Sequence, residues 1–345
     1  MFTVGIIGAG PMGQKRAKAV AAHRSSRLSV ICDIDLKKAQ AAAREYNCFA
    51  AQDSSEVVRD GLIDIVVVST TNDQLAGVSV AALNNKKHVL CEKPFGRNIE
   101  EARRICEAAA KNACRVKAGF NHRFYPAIRK AYELCAKGAI GELMYIRAVY
   151  GHGGRPGYAR EWRMDPRLSG GGELIDQGAH LIDLFRWFMG EFNEAFAANM
   201  NFFWRGGGAE DNSFIILRTK DGKAASAHAS TTQWRNRFLF EVFGKGGYLI
   251  VTGLGRSYGP QRLIYGKRTA LGKRPVEKIF SFPGEDPSWG LEWGDFIEAI
   301  RKGRQPLADG RDGYKAHEIL AALYASAKKK RIVRVEEGLW RIKGL

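Results

Sequence analysis

At 345 residues the chain is long enough that two hydrophobic cores are expected rather than one, and its 45% hydrophobic and 26% charged content is ordinary for a globular protein. No run approaches the roughly eighteen apolar residues of a membrane-spanning helix. The N-terminus enters a strand pattern at Phe2 without a basic segment or cleavage site, so a cytoplasmic protein with no membrane partner is expected. The 54 basic and 36 acidic residues leave a net charge of +18. The basic residues are widely spread, with local density at Lys328-Lys329-Lys330-Arg331 and through 256–278. They follow no reading motif, so no nucleic-acid partner is expected, whereas an anionic small substrate fits the field. Six cysteines lie in the first 135 residues with no Cys-x-x-Cys pair, which reads as free thiols in a reducing compartment. Cys91 is set apart by its neighbours.

Strand patterns are expected at 2–7, 27–32, 63–69, 87–91 and 115–119, with a weaker one near 48–51. Helical patterns fall near 12–22, 36–46, 73–84 and 99–112. Such alternation predicts a parallel sheet with helices on both faces. After residue 121 the pattern changes. Helices are expected near 126–137 and 173–189, flanking a strand at 143–149. From 194 to 282 successive strands carry hairpin signals at Asp221-Gly222 and Gly246-Gly247. Helices near 289–302 and 312–328 follow. The expected fold is therefore α/β followed by α+β: a dinucleotide-binding Rossmann domain over 1–121, then a domain over 122–345 built on a large, open, mainly antiparallel sheet. The uncovered sheet face is expected to pair copies into a homodimer or homotetramer.

Gly8-Ala9-Gly10-Pro11-Met12-Gly13 follows the first strand and opens the first helix. Gly8 suits a tight turn, Gly10 a close approach of backbone to pyrophosphate, and Gly13 close helix packing. Asp33 ends the second strand twenty positions after Gly13, where an acid hydrogen-bonds the adenosine ribose. Its charge favours NAD over NADP, although Lys37 and Lys38 partly offset it. Thr70 and Asn72, after the fourth strand, are expected beside the cofactor. Glu92-Lys93-Pro94 follows the fifth strand, where all three are expected to border the nicotinamide ring of the cofactor, so that Lys93 can exchange a proton with a substrate hydroxyl as hydride moves.

A second motif runs from Ser169-Gly170-Gly171-Gly172-Glu173 through Asp176 to His180. On one helix Asp176 and His180, four apart, share a face, and a carboxylate there can set the tautomer of a proton-transferring imidazole. A surface salt bridge or a capped core histidine is the plainer alternative. A zinc site from Asp176, His180 and His152 is disfavoured, because no further ligand lies at the right spacing, and no metal is expected.

These stretches, with Gly119-Phe120-Asn121-His122-Arg123-Phe124 and Ala321-Ala322-Leu323-Tyr324-Ala325-Ser326-Ala327, resemble the glucose-fructose oxidoreductase / inositol 2-dehydrogenase / MocA family almost throughout the chain. The resemblance implies that Lys93 and His180 form the acid–base pair, with Asp176 beside the reacting carbon. It further implies a cis Lys93-Pro94 bond and a place for Arg123 near the active site. One departure is clear: the family's Thr-Pro-Asn-x-x-His reads Thr70-Thr71-Asn72-Asp73-Gln74-Leu75 here.

The segment 150–168 is the expected substrate loop. Arg155, Arg160, Arg163 and Arg167 suit phosphate or carboxylate, while Tyr158 and Trp162 suit stacking on a sugar or base. The expected activity is hydride transfer between a nicotinamide cofactor and a secondary alcohol or ketone of a sugar derivative, such as a nucleotide sugar or sugar phosphate. Glycoside hydrolysis through transient oxidation and a non-catalytic dinucleotide-binding regulator are the alternatives.

Overall fold

The computed structural model describes residues 1–270 and 273–335. The chain forms two compact units. One comprises Met1–Asn121 with Trp289–His317, and the other His122–Ser288 with the segment beginning at Glu318. The last ten residues of the expected second domain, 336–345, lie outside the described residues.

The first unit alternates strands and helices in chain order: β1 (Phe2–Ile7), α1 (Pro11–Ala21), β2 (Ser26–Cys32), α2 (Leu36–Tyr46), β3 (Phe49–Ala51), α3 (Ser54–Arg59), β4 (Ile65–Val68), α4 (Asn72–Asn84), β5 (His88–Glu92), α5 (Ile99–Lys111) and β6 (Val116–Gly119). The strands form one parallel sheet in the order β3-β2-β1-β4-β5-β6. Ile65, Val66, Val67 and Val68 are all 0% exposed, as a central strand covered on both faces requires. Short α3 was not legible: its six residues carry too little periodicity, and its start is set by the Asp53 side chain accepting from the Ser55 amide.

The second unit contains α6 (Pro126–Ala136), β7 (Leu143–Gly151), short helices α7 (Pro166–Ser169) and α8 (Glu173–Asp176), then α9 (Gly178–Met189). Strands β8 (Glu194–Met200), β9 (Asn212–Arg218), β10 (Ala224–Ser230), β11 (Arg237–Gly244), β12 (Gly247–Thr252), β13 (Gln261–Lys267) and β14 (Val276–Phe282) follow. Helices α10 (Ser288–Lys302) and α11 (Gly310–Lys329) and a final strand β15 (Val333–Arg334) end the described chain. The nine-stranded sheet has the order β14-β13-β12-β11-β7-β10-β9-β8-β15 and is antiparallel except for the β7/β10 pair. α6 packs on β12–β14 and α9 on β7 and β10. Along β9, buried and exposed residues alternate, leaving Phe214 and Ile216 exposed on the uncovered face.

Two expectations need correction. Residues 289–317, expected to close the second domain, belong with the first unit, because Trp293, Phe296 and Ile297 pack into the core around Val4, Ile6, Ile65 and Val67. The single helix expected over 173–189 is two helices broken at Gln177. Asp176 therefore ends one helix while His180 lies in the first turn of the next.

Candidate active site

In the first unit, each glycine of the fingerprint has its own physical reason. Gly8 has φ +104° and sits so close to β4 that a Cβ would lie 2.4 Å from the Ser69 carbonyl oxygen. A Cβ at Gly13 would lie 1.8 Å from the Gly8 carbonyl oxygen, so this glycine lets α1 close onto the turn. Gly10 differs: a Cβ there meets nothing within 4 Å, and its φ of −67° suits any residue. The free space is a cradle of the kind a pyrophosphate needs, at a helix start where Gly10 provides no side-chain cap and Pro11 occupies the first turn. Pro11 and Met12 thus enter as the opening of α1. Asp33 braces the same turn, accepting from the Ala9 amide at 2.8 Å and the Asp35 amide at 2.9 Å. Each carboxylate oxygen retains acceptor capacity for a ribose hydroxyl. Lys38 is an exposed partner of Asp35 at 3.4 Å. Thr70 hydroxyl donates to the Thr71 carbonyl at 3.1 Å, and Asn72, 6% exposed, begins α4.

At the end of β5, Lys93 is half-buried and its bond to Pro94 is cis. Phe95 follows at φ +73° and 0% exposure, held against Gly313, where a Cβ would lie 2.5 Å from its ring. Cys91 donates its thiol to the Glu92 carbonyl, and burial pushes its pKa up to about 12, so it is an unreactive core thiol. His317, a residue without any sequence signal, lies 1% exposed in α11. Burial lowers its pKa to about 4, even though hydrogen bonds to the Pro94 and Gly96 backbone oppose the shift.

His317 therefore carries a pH signature. Neutral in the fold and ordinarily protonating near pH 6.5, it contributes stability that is complete above about 6.5 and is lost as pH falls toward 4. Proton linkage sets this at about 3 kcal/mol. Urea titrations at pH 7.5 and 4.5 should show a shallower loss in His317→Gln than in the wild type. Equal slopes would remove His317 as the cause.

In the second unit, Gly170, Gly171 and Gly172 form the close-packed turn expected. Gly170 has φ +86°, while a Cβ on Gly171 would strike the Tyr324 hydroxyl at 1.9 Å and one on Gly172 the Glu210 carbonyl at 2.0 Å. Tyr324 donates to Glu210 at 2.8 Å, and Glu210 accepts from the Leu174 amide at 3.1 Å, which anchors the start of α8. His180 is 6% exposed and stacked on His122, with ring centroids 3.8 Å apart and planes at 25°. Tyr150, at the end of β7 opposite Phe238, has its ring 6.2 Å from His180. The Tyr258 ring lies 5.6 Å from that of Tyr150, and its hydroxyl interacts with Gln177 and Tyr150. Burial pushes Tyr258 up to about 12, and Tyr150 is raised as well, so both phenols remain donors at neutral pH. The buried Oε1 of Gln177 has no partner within the protein. His122, Tyr150, Gln177, Glu173 and Tyr258 carried no assigned role in the sequence. The stretches 121–124, 150–168 and 169–180 contain all of them except Tyr258, for which the sequence carried no signal.

Arg123, expected near substrate, is 3% exposed and makes two bonds to Asp183, at 2.9 and 2.5 Å. This pair ties α9 to the short segment at 122–124. Three of the four loop arginines also pair with carboxylates of the protein. Arg155 pairs with Glu161 at 2.5 Å, and Arg167 pairs with Asp165 at 2.7 Å. Arg163 lies 3.4 Å from Asp176 and 3.8 Å from Glu161, with its guanidinium over the Trp162 ring. Arg160 is exposed, and Tyr158 is buried at 2%, edge-on to Trp204. Among the described residues no group of three or more His, Cys, Asp or Glu side chains is placed to hold a metal, and no helix is long and apolar enough to cross a membrane.

A parallel Rossmann sheet with a phosphate-turn cradle, a lysine at the end of β5 and an open nine-stranded sheet define a nicotinamide-dependent oxidoreductase acting on CH–OH groups. The chain belongs to the GFO/IDH/MocA oxidoreductase family: the family's NAD-binding Rossmann fold matches residues 2–120, and its C-terminal domain matches 128–250. It is 31% identical to a 1,5-anhydro-D-fructose reductase of Ensifer adhaerens over 82% of this chain and 83% of that protein. It is 26% identical to a levoglucosan dehydrogenase of Pseudarthrobacter phenanthrenivorans over 97% and 98%, and 27% identical to an inositol 2-dehydrogenase of Rhizobium meliloti over 96% and 98%. Among solved structures, a levoglucosan dehydrogenase in complex with NADH and levoglucosan superposes with a TM-score of 0.90 at 24% identity, covering 98% of this chain and all of that one.

Proposed function

We propose that the chain is an NAD-dependent dehydrogenase of an uncharged cyclic polyol or anhydrosugar. The observation that carries this is the pairing of the loop arginines. Arg155, Arg163 and Arg167 are matched by Glu161, Asp176 and Asp165, so the loop expected to recognise phosphate has spent these charges internally. Beside His180 lie two phenols and the unpartnered amide oxygen of Gln177, with the carboxylates of Glu173 and Asp176 acting on both phenols, a setting that suits hydroxyl groups rather than an anion. Relatives named for levoglucosan, inositol and 1,5-anhydro-D-fructose fit this class, since none of those compounds is charged.

Bound NAD supplies the hydride acceptor. In this reading Gly8, Gly10 and Gly13 make room for its pyrophosphate and Asp33 takes the ribose hydroxyls, favouring NAD over NADP. Thr70, Asn72, Glu92 and Pro94 border the cofactor. Lys93 and His180 remove the hydroxyl proton as the carbinol C–H bond breaks and return it in reduction. Asp176 orients the reacting group, and Tyr158 and Trp162 shape the loop. The exposed sheet face bearing Phe214 and Ile216 seats a second copy, an assembly that sedimentation equilibrium can test.

The test of function is NADH formation from NAD with inositols, anhydrosugars, sugar phosphates and nucleotide sugars. Turnover is expected with the uncharged cyclic compounds. Turnover confined to phosphorylated or nucleotide-linked sugars would overturn the substrate class, and glycoside cleavage without net NADH would replace the reaction.

A further inference from the structure

A closed set of charges lies under the Lys93 turn, all of it in the first unit. Arg16, Glu92 and Glu292 have side chains 1%, 6% and 0% exposed. The guanidinium is 2.6 Å from Glu92 and also pairs with Glu292. The indole of Trp289 covers it at 4.5 Å. Lys117, likewise 0% exposed, lies 3.5 Å from Asp295 and donates to the Leu307 carbonyl. Gly119 leaves room for the cluster, since a Cβ there would lie 3.0 Å from both Arg16 Nη2 and Glu92 Oε2.

Two carboxylates and a guanidinium removed from water are costly to assemble, and well-packed apolar residues in their place are often as stable. Their placement indicates another use. Arg16 lies in α1, the helix whose start forms the phosphate cradle. Glu92 is the residue immediately before Lys93. Glu292, from α10, meets the same guanidinium and fixes it from the other side.

We infer that Arg16 and Glu292 are positioning residues, which lock Glu92, and through it the backbone carrying Lys93, to the phosphate-binding helix α1. This rests on the reading of Lys93 as a proton-transfer group. Misplacing a reacting group by about 1 Å costs on the order of 10²-fold in rate without weakening binding in proportion. The cluster thus sets kcat rather than affinity.

The experiment compares Glu92→Gln, Glu292→Gln, Arg16→Met and Arg16→Lys with Lys93→Met, using the best substrate of the panel and rates per NADH-binding site. Glutamine preserves shape, so these variants are expected to fold. The triple variant R16M/E92Q/E292Q leaves no buried charge unpaired and serves if R16M does not fold. Expected are kcat values lowered about 10- to 100-fold in E92Q, E292Q and the triple variant, KM within about threefold, and partial recovery in R16K relative to R16M. Unchanged kcat in E92Q and E292Q beside an inactive K93M would make the cluster plain core and overturn the inference alone. A raised KM at constant kcat would do the same. An active K93M would overturn both the inference and the reading beneath it.

Discussion

Replacing Lys93 with methionine is expected to lower kcat by about 10²–10⁴-fold, the range that a positioned acid or base contributes. NAD affinity should stay within about threefold, less than 1 kcal/mol, because the substitution leaves the phosphate turn at Gly8–Gly13 and Asp33 unchanged. Methionine keeps the length and apolar stem of lysine, and Lys93 is half-buried, so packing changes little. The control is tryptophan-fluorescence quenching by NADH together with the thermal midpoint. A variant that binds NADH normally and turns over at the wild-type rate would exclude Lys93 from proton transfer. His180 would then stand alone, supported by the His122 stack and the phenols beside it.

The second large effect separates two glycines three residues apart. Gly13→Ala drives a methyl group to 1.8 Å from the Gly8 carbonyl oxygen, so α1 must shift. The expected cost is about 1–3 kcal/mol of stability, with a thermal midpoint lowered by about 2–10 °C and NAD binding lost with the turn. Gly10→Ala meets nothing within 4 Å and keeps an allowed backbone, so the fold should be as stable as the wild type. Its methyl fills the cradle, and NAD should bind at least about tenfold more weakly, or 1.4 kcal/mol. Gly77→Ala, in open space on α4, is the neutral reference. Calorimetry and NADH titration on the three variants decide the matter. Normal NAD affinity in Gly10→Ala would mean that the pyrophosphate does not pass over this residue.

The division between the two glycines also marks what a sequence can convey. The spacing Gly-x-Gly-x-x-Gly is local, because turn geometry and helix entry involve residues within one another's reach along the chain. The same holds for Asp33 at the end of β2, for the cis Lys93-Pro94 bond that the family resemblance implied, and for the glycine run before α8. Alternating apolar runs conveyed the parallel sheet, since a strand covered on both faces must be apolar throughout. Family, fold class and cofactor type were legible on those grounds.

Charge partners were not. Arg155, Arg163 and Arg167 read as ligands for an anion, because sequence records the charge of a residue but not the carboxylate that meets it in space. Arg123 found Asp183 sixty residues away, and Arg163 met Asp176 across a helix start. The helix through Asp176 and His180 looked continuous because its periodicity was intact. The break falls at Gln177, beside Gly178, in a segment whose start is fixed by packing of the glycine turn on Glu210 and Tyr324, residues remote in the chain. Arg16, Glu292 and His317 had no motif at all; burial turns an ordinary charge or imidazole into a constraint on the Lys93 turn. By itself the sequence determined local backbone geometry and the hydrophobic pattern that selects the fold, because both depend on neighbours along the chain. Only the tertiary structure decided which charges are spent on one another and which polar atoms stay available, because pairing and desolvation depend on neighbours in space.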